Sequence, residues 1–202
     1  MSRVIVGATV SADGFIADRN DSVGPLFDWY FNGPQELTVA PHQYRPKGGY
    51  RPAPASADLL RDTWPAIGAA IIGRRLFDLT DGWGGRPAVG DHVFVLTHRS
   101  PGDWPSRYPE APFHFVTGGL EEAVARARQA AGDRTISLAA GDLAGQAICA
   151  GLVDQVDMYV APVLLGDGIR FFGEHKVPTT MMENPRIVAG DRVTHISYDL
   201  RA

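Results

Sequence analysis

From residue 69 onward, short β-branched apolar runs alternate with segments of helical period, and this alternation constrains the fold more than any other feature. Ala69 to Ile72, Val93 to Leu96, Phe113 to Thr117, Thr135 to Leu138 and Gln155 to Val163 read as strands. Arg74 to Thr80, Leu120 to Ala131 and Leu143 to Ala150 read as helices between them. In the clearest of these, Leu120, Val124, Ala127 and Ala131 share a face, Glu122 pairs with Arg126, and Gly132 closes the C-terminus. Strands separated by helices imply a mostly parallel sheet covered on both faces. Upstream, Val4 to Val10 is another strand, ended by a Ser-Ala-Asp-Gly turn. Downstream, Arg186 to Ala189 and Val193 to Leu200 flank Gly190-Asp191 as an antiparallel hairpin. The expected class is therefore α/β, with a mostly parallel central sheet and a C-terminal antiparallel hairpin.

The 202 residues suffice for a single core, so one domain over 1–202 is expected. Gly and Pro together fill 38 positions, which belong in connections between many short elements. Five prolines and three glycines crowd residues 33–54, where no period survives. This stretch reads as a surface loop or lid, part of an insertion over about 33–57, with Ser56 as the cap of a short helix. The net charge of −4 lacks the basic excess of a nucleic-acid binder. The lone Cys149 excludes an intrachain disulfide and, among apolar neighbours, reads as a buried thiol. No apolar run reaches the ~18 residues of a membrane span, and Ser11 and Asp13 interrupt the opening run too early for a signal peptide. A cytoplasmic protein with no membrane partner is expected.

In open parallel sheets, ligands sit beyond the carboxyl ends of the strands. Four segments fall there: Gly73-Arg74-Arg75, Thr97-His98-Arg99-Ser100, Ala139-Ala140-Gly141-Asp142 and Leu164 through Arg170. Arginines and glycine turns recurring at equivalent places suit a multiply phosphorylated ligand such as a dinucleotide. An ordinary turn with a solvated Arg is the competing reading of each segment. No P-loop, no G-x-G-x-x-G after a strand and no paired-His metal spacing is present.

Further motifs fall in a recognisable order. They are Ser11-Ala12-Asp13-Gly14-Phe15-Ile16-Ala17, Phe27-Asp28-Trp29, Gly73-Arg74-Arg75-Leu76-Phe77-Asp78, Val93 through Arg99, Ala150-Gly151-Leu152-Val153-Asp154 and Pro162 through Phe172. Together they resemble the dihydrofolate-reductase-like family that includes the C-terminal reductase domain of the bifunctional riboflavin-biosynthesis protein. The likeness covers nearly the whole chain except about residues 33–57. It implies a dihydrofolate-reductase-like three-layer fold, NADPH as hydride donor and often a homodimer. It further implies reduction of a C=N bond in a pyrimidine, pterin or related heterocycle. The alternatives are a non-catalytic NADPH-binding or flavin-binding protein on the same fold.

Carried over by position, the resemblance places Thr9 and Ile16 near the nicotinamide and Gly73, Arg74 and Arg75 at the cofactor phosphates. Thr97, His98 and Arg99 fall beside the adenosine 2′-phosphate, and Ala140, Gly141, Asp142 and Leu143 beneath the pyrophosphate. Asp28 is the candidate catalytic carboxylate, with Asp28, Trp29 and Arg170 as substrate contacts; Asp13 reads as a turn residue. No metal ligand is expected. Two departures stand out: Ala139-Ala140 replaces the family's Gly-Gly, and Leu76 stands where dihydrofolate reductases carry Thr. The first would crowd the pyrophosphate or force a trans peptide, and the second removes a hydroxyl.

Overall fold

The computed structural model describes residues 2–200. In chain order the elements are β1 (Val4–Ser11), β2 (Phe15–Ala17), a 3-10 turn (Gly24–Tyr30), α1 (Pro54–Thr63), β3 (Ile67–Gly73), α2 (Arg74–Thr80), α3 (Gly82–Gly85) and β4 (His92–Leu96). There follow α4 (Trp104–Arg107), β5 (Phe113–Val116), α5 (Leu120–Ala131), β6 (Thr135–Ala139), α6 (Asp142–Cys149), β7 (Gln155–Ala161), β8 (Ile169–Arg170), β9 (Arg186–Gly190) and β10 (Val193–Asp199). Eight strands form one sheet in the order β5-β4-β3-β6-β1-β7-β10-β9. Its first six strands run parallel, and β10 runs antiparallel to both β7 and β9. β2 and β8 form a separate antiparallel pair that the sequence pattern does not reveal.

Period-2 alternation divides the sheet between two cores. Ala69 and Ile71 of β3 pack with Val4, Val6 and Val10 against α5 and α6. Ala70 and Ile72 point the other way, toward Phe77, Trp104 and Phe113. On that second face Trp29, Leu37, Leu60 and Val193 form a further cluster, joined by Tyr30, Tyr50, Trp64 and Tyr159. The three layers expected from the sequence are present.

Chain connectivity locates the crevice. β3 continues through α2 outward to β4, whereas the adjacent β6 continues through α6 and past β1 to β7. Their connections diverge, so Gly73 and Ala139 end the two strands of a topological switch point, the place where open α/β sheets bind ligands.

Three expectations are corrected. Ser56 lies inside α1, whose N-cap is Ala53, and its hydroxyl instead meets His195 Nε2 at 2.9 Å. Cys149 is exposed at the end of α6, with Sγ facing the Lys176 carbonyl at 3.7 Å; the helix turns this position outward despite its apolar neighbours. The 33–54 segment does not cover the strand carboxyl ends. Its backbone and side chains bind Pro87, Gly90 and Asp91, which precede β4, so it wraps the opposite edge. Leu37 is buried there against α1, which explains why the loop is ordered without a period of its own. Among the described residues, no helix is long and apolar enough to cross a membrane.

Candidate functional site

Beside the start of α2, which follows β3, a cleft of about 540 Å³ is lined by Phe15, Arg19, Arg75, Asp167, Gly168, Ile169, Arg170 and Glu174. Its floor is the β2–β8 pair, held down by several local bonds. Asp13 accepts the backbone amides of Leu165 and Gly166, and the Ser11 hydroxyl donates to the same carboxylate. The Ser11 hydroxyl, followed by those amides, keeps the Asp13 carboxyl below the usual carboxylate range. Asp13 is thus the turn residue expected from the sequence, and it also clasps the 164–170 loop. Arg19 pairs with Asp167 across the same junction. A Cβ on Gly168 would stand 2.1 Å from the Ala17 carbonyl oxygen, so only glycine allows this approach.

Beside the cleft lies the start of α6. Gly141 has φ +94° and donates its amide to the Phe171 carbonyl at 2.7 Å. Ile16 Cδ1 is 3.5 Å from where a Gly141 Cβ would stand, so two expected cofactor residues meet here. The amides of Asp142 and Leu143 belong to the first turn, ahead of the intrahelical ladder. Asp142 accepts from Gln146 and pairs with His175 at 3.0 Å, while Leu143 is buried. Gly173 has φ +63°, and a Cβ on it would lie 2.5 Å from the Asp142 Cα. Gly173→Ala is therefore expected to cost at least 1–3 kcal/mol and to disturb the α6 start. Urea unfolding checks the value, and a loss below ~0.5 kcal/mol would contradict this packing.

A single peptide joins Ala139, the last residue of β6, to Ala140. Every peptide among the described residues is trans, including this one. The Ala139 methyl packs with the Phe77 and Trp104 cluster, and the Ala140 methyl with the opposite core around Leu143 and Phe171. The two methyls thus separate onto the two faces of the sheet. Leu76 likewise packs its side chain into the Phe77 cluster.

Arg74, Thr97 and Arg99 converge as the sequence predicts, but onto one another. Arg74 donates to Asp78 at 2.7 Å, to the Ser100 carbonyl at 2.9 Å, to the Arg99 carbonyl at 3.2 Å and to Thr97 Oγ1 at 3.4 Å. Arg99 reaches the same Asp78 at 3.1 Å, and its amide donates to buried Thr97. His98 is exposed at the tip of this turn, and space is open where a Gly73 Cβ would be. Arg75 and Arg170 line the cleft together, with the Arg170 guanidinium 5.3 Å from the Phe15 ring centre. Arg19, also in the cleft, escaped the sequence reading; its place after Ile16-Ala17-Asp18 was the available signal.

The remaining three residues lie elsewhere. Thr9 is buried and accepts the Trp29 indole N–H at 3.2 Å. Trp29 is 1% exposed and packs with Tyr30, Tyr159 and His195. Burial raises both the Tyr30 and Tyr159 hydroxyls above the ordinary tyrosine range. Asp28 is exposed on the outer side of its turn and is not among the residues lining the cleft.

The fold has relatives among solved structures. A chain from Shewanella sp. PV-4 described as a riboflavin biosynthesis protein aligns over 99% of both chains at 21% identity with a TM-score of 0.65. The diaminohydroxyphosphoribosylaminopyrimidine deaminase/5-amino-6-(5-phosphoribosylamino)uracil reductase of Thermotoga maritima aligns with 99% of this chain at 12% identity and a TM-score of 0.61. This chain covers 57% of that longer protein. Dihydrofolate reductase from Enterococcus faecalis, complexed with NADP(H), aligns over 99% of this chain and 97% of its own at 14% identity and a TM-score of 0.55. At these identities the likeness shows a shared dihydrofolate-reductase-like fold. Curated proteins supply no match. The family model for the RibD C-terminal domain matches residues 90–196, more than half of the sequence, and the chain belongs to that family.

Proposed function

We propose that the protein is an NADPH-dependent reductase of a C=N bond in a small pyrimidine, pterin or related heterocycle. The observation that carries this reading is the cleft into which Arg19, Arg75 and Arg170 face, beside the start of α2. The residues present fit a dinucleotide's phosphates. Arg75 and Arg170 face one cleft, Gly141 provides close backbone approach, and the first-turn amides of α6 favour an anion. Arg74, Thr97, His98 and Arg99 form a separate cationic corner that suits an additional phosphate and hence NADPH over NADH. The proposed small-molecule partner is the heterocycle itself, and the resemblance supports a homodimer.

When bound, NADPH supplies a hydride. The chain's own task is to hold the phosphates at the strand ends, to fix the donor's orientation through Ile16 and Gly141, and to keep the β2–β8 floor closed against water. Asp28, exposed as it is, receives no step in this conformation.

A second reading is favoured by one observation. Thr9, expected beside the nicotinamide, lies under Trp29 and has almost no free surface. A nucleotide-binding protein without turnover would have this arrangement. Titrating NADPH by its fluorescence, and following its absorbance with dihydrofolate or the ribosylaminopyrimidine, separates the two. The reductase reading expects binding and oxidation, with affinity about tenfold weaker in Arg75→Ala. Binding without oxidation favours the second reading, and no binding at millimolar NADPH overturns both.

A further inference from the structure

Arg75 lines the cleft, yet its guanidinium is already engaged. Its Nε and Nη2 donate to the two oxygens of Asp21 at 2.8 Å each, a bidentate fork. The Asp21 side chain is only 17% exposed against 65% for Arg75, so the carboxylate is the more firmly seated partner. Its seat is a preformed turn. Asp18 accepts the amides of Asn20 at 2.7 Å and Ser22 at 2.9 Å, and the Asp18 amide donates to the Ser22 carbonyl. Asp21 itself sits at φ +64°, in the left-handed region that L-residues other than Asn, Asp and Gly rarely adopt. The turn between β2 and the Gly24–Tyr30 segment therefore holds an aspartate, a residue suited to this backbone, whose side chain ends in the arginine fork.

The pattern recurs around the site. Arg19 pairs with Asp167 in the same cleft, and Arg74 and Arg99 share Asp78 at its neighbour. A carboxylate in a guanidinium fork presents two oxygens much as a phosphate does. Of these pairs, Arg75–Asp21 alone combines bidentate geometry, a cleft-lining arginine and an acid seated much more deeply than its partner.

We propose that Asp21 is an internal competitor for the Arg75 fork: a ligand's phosphate or pyrophosphate enters the cleft by exchanging with the Asp21 carboxylate, and the exchange releases the 18–22 turn. The inference rests on reading the cleft as a phosphate site, and it adds a residue that sets affinity for anionic ligands. In the exchange one bidentate anionic partner of Arg75 replaces another, so the contacts of the incoming anion offset the loss of the internal pair.

The test uses Asp21→Asn, which removes the charge while asparagine keeps the left-handed backbone accessible. Inorganic pyrophosphate is the probe, measured by calorimetry on the full chain. Asp21→Asn is expected to bind it about three- to fivefold more tightly than the native protein, because the competing pair is removed. Adding Arg75→Gln should abolish that gain. In the native protein, pyrophosphate should speed hydrogen exchange at the Asn20 and Ser22 amides, which a purely structural ion pair would not do. Unchanged or weaker binding in Asp21→Asn, no measurable pyrophosphate binding to either protein, or unchanged exchange at those amides overturns the proposal. A protein that fails to bind NADPH yet shows the Arg75-dependent gain supports the exchange and removes both NADPH readings of the site.

Discussion

Replacing Trp29 by alanine is expected to lower the free energy of unfolding by about 3–5 kcal/mol, the range for truncating a buried aromatic. Trp29 is 1% exposed, stacks on Tyr30 at 3.8 Å between ring centres, and meets His195 and Tyr159 edge-on at 5.0 and 5.8 Å. The truncation also leaves the Thr9 hydroxyl without its indole donor. Trp29→Phe keeps most of the volume and loses that bond, so a smaller loss of about 1–2 kcal/mol is expected. Urea unfolding of both variants decides the matter. A loss under 1 kcal/mol in the alanine variant would mean that the cluster can collapse into the space, and that Trp29 is free to move for a ligand. The same variant bears on the proposed function, because uncovering Thr9 tests whether the aromatic cover limits the proposed nucleotide binding.

The second large effect is acid destabilisation through His195. This ring is 2% exposed, bonds to Ser56 Oγ through Nε2, and has no hydrogen-bond partner at Nδ1. Burial pushes its pKa down from 6.5 to about 4, and the rings against it, Trp29 and Tyr159, offer no counter-charge. Below pH 6.5 the unfolded chain takes up a proton that the folded chain refuses, so stability falls as pH falls from 6.5 toward 4. Over that window the loss is about 3 kcal/mol, from roughly 1.4 kcal/mol per pH unit. Asp13, Asp81, Asp91 and Asp199 are held below their ordinary value of 3.8, so their contributions vanish at still lower pH. Unfolding measured at intervals across the window should show the slope in the native protein and a flatter one in His195→Gln. An equal slope in both would assign the acid sensitivity to other groups.

These two residues illustrate what sequence patterns convey. The helix over Leu120–Ala131 and the α2 segment Arg74–Thr80 were legible to the residue, because apolar period and terminal glycine are local properties. The strand ends at Gly73 and Ala139 were legible for the same reason, give or take a residue. That Arg74, Thr97 and Arg99 would meet followed from their equivalent places after neighbouring strands. That Arg74 would spend its donors on Asp78 and two carbonyls did not follow, since nothing local says which acceptor wins. Trp29 and Asp28 are adjacent in the chain, and only the path of the Gly24–Tyr30 turn sends the indole inward and the carboxylate outward.

The insertion shows the same division. Its prolines marked residues 33–53 as lacking helix and strand periodicity, with Pro54 already opening α1, but not which edge of the sheet the segment would wrap. That depended on Leu37 finding Leu60 and on His42 and Gln43 finding Asp91 and Gly90, contacts far apart in sequence. By itself the sequence determined the alternation of elements, the parallel sheet and the edge at which arginine-bearing and glycine-bearing turns gather, because each rests on local periodicity and on chain handedness. Tertiary structure alone decided which arginines face open space, which are occupied by aspartates, and that Ala139 and Ala140 turn their methyls to opposite faces. Those outcomes depend on the competition among groups brought together by folding.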